Sequence, residues 1–274
     1  MKRRPILGSA IAAAALAVSM GGIAYADGYS APKAASVAPD TWAGFYAGAS
    51  VGGAWTTLQN QWPVTDHFFV QGTSFDVSTA NVVEGVHVGW QHQWGGIVAG
   101  VEFAGSFYND MDDRTSSFIR CTNGAPCGIE NRVEWSFQAV GRLGVAVGHV
   151  LPYVKAGWAV IDVNTLEVEC CAPVGTNVFN NPKFFSRDDK LQSGWVLGGG
   201  LEWALMKNVI LGVDYQHIFV NDGTHGSPCV GADSLVCTTA PFNGNVRVTG
   251  DLDQVTARLS FKFDRETTAA KPLK

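Results

Sequence analysis

From Trp42 onward the chain alternates apolar and polar residues with a period of two, in eight long segments. They run roughly over 42–55, 82–93, 96–108, 131–147, 152–167, 191–204, 208–220 and 252–263. The last is the plainest: Val255, Ala257, Leu259, Phe261 and Phe263 alternate with Thr256, Arg258, Ser260 and Lys262. Successive residues of a strand point to opposite sides, so each segment reads as a strand with one apolar and one polar face. At about 12–17 residues, the segments exceed the ~5–6 of an ordinary strand. They suit a tilted strand crossing a bilayer, which needs ~9–11 residues in the apolar zone.

The connections alternate in length. Trp94-Gly95, Gly148 to Leu151 and Leu205 to Lys207 are short. The other four read as long loops of roughly 20–30 residues, rich in turn formers. Short turns on one rim and long loops on the other describe a membrane barrel, closed so that no backbone edge is unpaired in hydrocarbon. The expected fold is all-β: an eight-stranded antiparallel up-and-down transmembrane β-barrel with short periplasmic turns and four long external loops. Both termini then lie on the periplasmic side. Aromatic residues gather at strand ends, as rings do at headgroup level. Trp42, Phe45, Trp90, Trp94, Tyr153, Trp203, Phe261 and Phe263 form a belt at the short-turn end. Trp55, Phe107, Trp135, Trp195 and Phe219 form one toward the loops.

The start of the chain agrees with export. Lys2, Arg3 and Arg4 precede an apolar run from Ile6 to Met20, and Ala24-Tyr25-Ala26 offers a small-x-small cleavage site. Residues 1–26 read as a signal peptide, 27–41 as a flexible linker, 42–263 as the barrel and 264–274 as a disordered periplasmic tail. Cleavage leaves about 16 basic against 24 acidic residues, which argues against nucleic-acid binding.

An eight-stranded barrel is narrow enough for side chains to fill it. The polar faces supply Glu102, Glu134, Glu202 and Asp214 against Arg142, Lys155, Arg258 and Lys262, joined by Tyr46, His87, Gln91 and Gln138. Buried charges need partners, so these residues are expected to form an interior network. Glycines opposite long side chains, among them Gly48 and Gly89, provide the space. Carboxylates dispersed over the wall and enclosed serve structure better than acid–base chemistry. The lumen is expected to be plugged, passing at most a small conductance.

The segments WAGFYAGASVGGAW, VEWSFQAVGRLGVAVGHVLPYVKAGWAV, QSGWVLGGGLEWAL and DQVTARLSFKF resemble the RopB-type outer-membrane proteins. These belong with the small OmpA-like barrels of alphaproteobacteria, and the resemblance spans about Trp42 to Phe263. It implies an abundant, surface-exposed and immunogenic barrel of the outer membrane, with roles in envelope integrity and host contact. Some relatives bind haemin, so a surface haemin or small-ligand binder is the alternative reading. The alternating finish at Phe261 and Phe263 resembles the signal read by the barrel-assembly machinery, although that signal usually ends the chain.

All six cysteines fall in expected external loops: Cys121, Cys127, Cys170, Cys171, Cys229 and Cys237. In an oxidising compartment an even number reads as disulfides, with 15 possible pairings. Local closure of Cys121 with Cys127 and of Cys229 with Cys237 is expected. His67 and His225 read as loop residues and are the candidate haem contacts. His217 faces outward, but no serine stands beside it at a suitable interval for lipid A modification. The chain therefore reads as non-enzymatic, without cofactor or metal. Its expected partners are outer-membrane lipid and lipopolysaccharide, the assembly machinery and, in the alternative reading, haemin, with the chain a monomer or small homo-oligomer.

Overall fold

The computed structural model describes residues 42–65, 69–110, 117–120, 126–169, 184–227, 230–231 and 244–263. The stretches read as signal peptide, linker and tail, together with His67 and every cysteine but Cys127, lie outside these. Ten strands follow in chain order: β1 (Gly44–Gln61), β2 (Ser74–Trp94), β3 (Ile97–Asp110), β4 (Ser117–Arg120), β5 (Pro126–Val145), β6 (Val150–Glu169), β7 (Phe184–Ala204), β8 (Val209–Ser227), β9 (Val230–Gly231) and β10 (Gly244–Phe263). Eight of them close an antiparallel ring in the order β1-β2-β3-β5-β6-β7-β8-β10, and β10 returns to β1 from Phe263 opposite Phe45 to Arg247 opposite Gln61. The two short strands are attached outside the ring, β4 on β5 and β9 on β7. Two short turns carry a glycine at positive φ, Gly95 at 60° and Gly148 at 61°, a conformation other residues adopt only at a cost.

The strands run well past the segments read from the sequence. The first connection spans only 62–73, and β6, β7, β8 and β10 continue into stretches read as loop. The reason is a reversal of polarity along the wall. On β10, Gln254, Thr256, Arg258, Ser260 and Lys262 point inward and are buried, while Val255, Leu259, Phe261 and Phe263 are exposed on the outside. Beyond Asp253 the faces exchange: Val246, Val248 and Leu252 are buried inside, and Asn245, Arg247 and Asp251 are exposed outside. On β1, Phe45, Val51 and Trp55 face out below, followed by Thr57, Gln59 and Gln61 above, with Leu58 buried inside. Apolar surface turns toward lipid in one half and toward an enclosed core in the other, as the hydrophobic effect requires when the outer solvent changes.

Among the described residues, the upper half is also no longer a closed ring. β3 ends where Asp110 meets Asn81, and the β7–β8 ladder ends where Gly194 meets Val220. Beyond these points the wall continues as two facing sheets, β2-β1-β10-β8 and β4-β5-β6-β7. Leu58, Val77, Val246 and Val248 of one sheet share a buried core with Ile129, Val133, Ile161 and Val163 of the other. Polar contacts also cross between the sheets, two of them beside this core. Asn131 Nδ2 donates to Asn60 Oδ1 at 2.9 Å, and Trp62 Nε1 donates to Glu167 Oε1 at 3.0 Å.

A β-bulge corrects one expected site residue. The β5–β6 register shifts between Val133 and Ser136, inserting one residue and exchanging the faces of β5. Ser136, Gln138 and Arg142 point inward below the bulge, whereas above it Val133 is buried and Glu134 is exposed. Glu134 is therefore on the outer surface, where it accepts from Asn164 Nδ2 at 3.3 Å, and not in the interior network.

Candidate functional site: the charged lumen

The ring brings together side chains from seven of its strands at one level of the lumen. Glu102 on β3 is the centre. Its carboxylate accepts from Arg258 Nη1 at 3.0 Å and Nη2 at 2.5 Å, from Arg142 Nη1 at 3.1 Å, and from the Tyr46 hydroxyl at 2.9 Å. Arg142 on β5 also donates to Glu202 on β7 at 2.7 Å and to the Tyr46 oxygen at 2.6 Å. Its guanidinium lies 4.0 Å from the centre of the Tyr153 ring, a cation–π contact. On the other side, Lys155 Nζ on β6 donates to Asp214 Oδ1 of β8 at 2.5 Å and to Gln216 Oε1 at 2.8 Å. The Tyr153 hydroxyl donates to Asp214 Oδ2 at 2.5 Å.

The expected residues Glu102, Arg142, Lys155, Glu202, Asp214 and Arg258 thus form one cluster of three acids and three bases, each nearly fully buried. Its charges cancel, and hydrogen bonds to the carboxylates, the Lys155 ammonium and the guanidinium Nη atoms offset desolvation, while Arg142 Nε and Arg258 Nε are buried without a hydrogen-bond partner among the described residues. His87 lies beside it, 2.7 Å from the Ser260 hydroxyl. Glycines make room: a Cβ on Gly89 would stand 2.3 Å from the Tyr46 hydroxyl, and one on Gly48 would stand 2.6 Å from His87 Nε2.

Apolar layers close the cluster above and below. At the short-turn end Trp42, Val98, Leu151, Ala204 and Ile210 form a buried floor. Gln93 Oε1 accepts from the Trp42 amide at 3.1 Å, and Gln91 Nε2 donates to the Trp42 carbonyl at 2.7 Å, drawing the segment before β1 under the lumen. This corrects the aromatic belt. Trp42 and Tyr153 are buried inside, Trp42 because it precedes the strand and Tyr153 because it shares the face of Lys155. Phe45, Trp90, Trp94, Trp203, Phe261 and Phe263 are exposed outside as expected.

The cysteine and histidine readings change as well. Cys127 lies on β5 rather than in a loop, is buried, and is disulfide-bonded. His225 also lies on a strand, β8, and is 0% exposed. On the outer wall the sequence reading missed a cluster. Asp253 Oδ1 accepts from the Tyr215 hydroxyl at 2.6 Å and lies 2.8 Å from His217 Nδ1, while His217 Nε2 lies 3.2 Å from Asp251 Oδ1. Asp253 sits directly opposite His217, a juxtaposition only the cross-strand register reveals. With both ring nitrogens held, the group acts as a clasp between β8 and β10.

A family model described as outer membrane protein beta-barrel domain matches residues 10–263. The chain belongs to this family. The 31 kDa outer-membrane immunogenic protein of Brucella melitensis is 30% identical over 195 residues, 69% of this chain and 75% of the relative, and that of Brucella suis matches equally. These relatives bear out the resemblance read from the sequence. Among solved structures, OprG of Pseudomonas aeruginosa is 12% identical with a TM-score of 0.46, covering 81% of this chain and 97% of its own. The Neisserial surface protein A is 14% identical with a TM-score of 0.37, covering 80% and 97%. The family member described here is an outer-membrane β-barrel, and its outward apolar band is the surface that meets lipid.

Proposed function

We propose that this barrel is a structural outer-membrane protein whose lumen is plugged and whose upper two-sheet head displays loops at the cell surface. The observation that carries this reading is the stack inside the wall: an apolar floor around Trp42, the neutral charged cluster around Glu102, and the apolar core of the head. The short-turn end faces the periplasm and the head faces outward. Surface display is supported by the immunogenic relatives. In planar bilayers the full chain should give no large, stable conductance steps; such steps would overturn the plugged reading. The haemin reading loses His225 as an exposed ligand, because its ring is enclosed. His217, with Asp251 and Asp253 at its two ring nitrogens, serves in this reading as a clasp between β8 and β10.

Phe261 and Phe263 serve in this reading as the functional end of the barrel. Their rings meet edge to face at 5.4 Å on the outer wall, beside the β1 start. Deleting Asp264–Lys274 should leave assembly intact, whereas Phe263→Ala should lower the yield of heat-modifiable, folded barrel. Loss of assembly on tail deletion alone would refute the assignment.

A further inference from the structure

Among the described residues, the two sheets of the head meet along β7 and β8 without a backbone ladder between Gly194–Val220 below and the short β7–β9 ladder at Phe185 and Val230 above. Below, the strands pair from Gly194 opposite Val220 down to Ala204 opposite Ile210. Above, each strand keeps its other neighbour: Ser186–Ser193 pairs with β6, and Gly223–Ser227 pairs with β10. What joins them across the seam is side chains. Asp188 Oδ2 accepts from the Gly226 amide at 3.0 Å and stands 3.4 Å from His225 Nδ1. His225 Nε2 lies 2.7 Å from Gln192 Nε2. Asn221 Nδ2 donates to Ser193 Oγ at 3.2 Å, and Lys190 Nζ donates to the Thr224 carbonyl. Asp188 and Lys190 reach solvent, whereas His225 is enclosed at the centre of the seam.

We propose that this seam is an acid-released latch: protonation of His225 parts β7 from β8 between the lower ladder at Gly194–Val220 and the short β7–β9 ladder, and admits water between the two sheets of the head. The geometry allows it because the seam lies beyond the lipid-facing band, where water can satisfy the freed groups. A backbone ladder opens only by losing several hydrogen bonds together, while the stretch of seam between the two ladders opens by releasing a few side chains.

The enclosed ring fits between its neighbours as a neutral imidazole. Its Nε2 faces the Gln192 Nε2 donor at 2.7 Å and so accepts, which puts the hydrogen on Nδ1, 3.4 Å from Asp188 Oδ2 but outside hydrogen-bonding geometry. A proton on Nε2 meets that amide donor and places a cation where no water reaches it. Burial holds the His225 pKa below the ordinary histidine value; Asp188 and more weakly Asp189 oppose this, and Lys190 reinforces it. On the other side β10 presents Val246 opposite His225, and Arg247 turns outward to Asp222 at 3.1 Å. In the parted seam the ring is hydrated and its pKa returns toward ~6.5. The parted form therefore binds the proton more tightly. The latch is fully closed above the hydrated pKa and weakens as pH falls below it toward the lowered value of the closed form.

Residue-resolved NMR of the folded barrel in detergent micelles tests this, with the Gly226 amide reporting its bond to Asp188. Between about pH 7.5 and about pH 5, where histidine alone among ordinary side chains changes charge, Gly226 exchange should accelerate beyond its intrinsic pH dependence. Each unit by which closure lowers the His225 pKa contributes up to about tenfold. Amides in the lower ladder, such as Leu211, should keep their protection. His225→Phe should abolish the acid response; if that variant fails to give heat-modifiable barrel, His225→Gln takes its place. Unchanged Gly226 protection in the natural chain, or an equal acid response in the variant, would overturn the proposal.

Discussion

Glu102→Ala should be the most damaging single substitution in the lumen. It leaves Arg142 and Arg258 buried beside one another with their shared carboxylate gone. Removing one partner of a buried ion pair costs about 3–5 kcal/mol, chiefly the penalty of the uncompensated charge. Arg142 retains Glu202, but the partner left to Arg258 is Asp214 at 3.8 Å, already engaged by Lys155 and Tyr153. Urea unfolding from lipid vesicles, followed by heat-modifiable gel migration, should show this loss. Glu102→Gln should be milder, because its oxygen still accepts, though it no longer neutralises. If Glu102→Ala unfolds at the same urea concentration as the natural chain, the cluster does not hold the barrel together.

Leu259→Arg should be the next most damaging, and its effect should depend on height along β10. Leu259 is exposed on the lipid face, two residues beyond Ala257 and opposite Ala49 and Leu211. An arginine on the lipid face costs about 2–4 kcal/mol near the bilayer midplane. Twelve residues earlier on the same outward face, Arg247 already stands in water beside Asp222. Arg247→Leu should therefore change stability by less than about 0.5 kcal/mol, the usual range for surface positions. The same vesicle unfolding measurement compares them. Equal costs at the two positions would mean that the reversal of polarity does not mark the membrane boundary.

The membrane-spanning half was legible because its outer solvent imposes one rule on every strand. Alternation alone placed Glu102, Arg142, Lys155, Glu202, Asp214 and Arg258 on the inner face, and their mutual contacts followed from a narrow lumen. Glu134 was misplaced by a single inserted residue, since a bulge shifts the period without any residue type that announces it. The head was read as loop because its outward residues, such as Thr57, Gln59 and Asp251, are those of turns, while its inward residues are the apolar ones. The seam and the His217 clasp depend on which strand lies opposite which residue, and no single strand carries that register.

The change from Val255 to Asp253 on β10, repeated from Trp55 to Thr57 on β1, has a mechanical consequence. Moving the molecule outward by one pleat would lift Val255 and Trp55 from lipid into water; moving it inward would drag Asp251 and Asp253 into hydrocarbon. Either displacement is penalised around the wall, so the protein has one preferred immersion depth. A bilayer thicker or thinner than its apolar band must then deform at the protein's perimeter, at fractions of a kcal/mol per Å of mismatch. Such a rim of strained lipid would draw neighbouring barrels of equal height together without any direct contact between their walls.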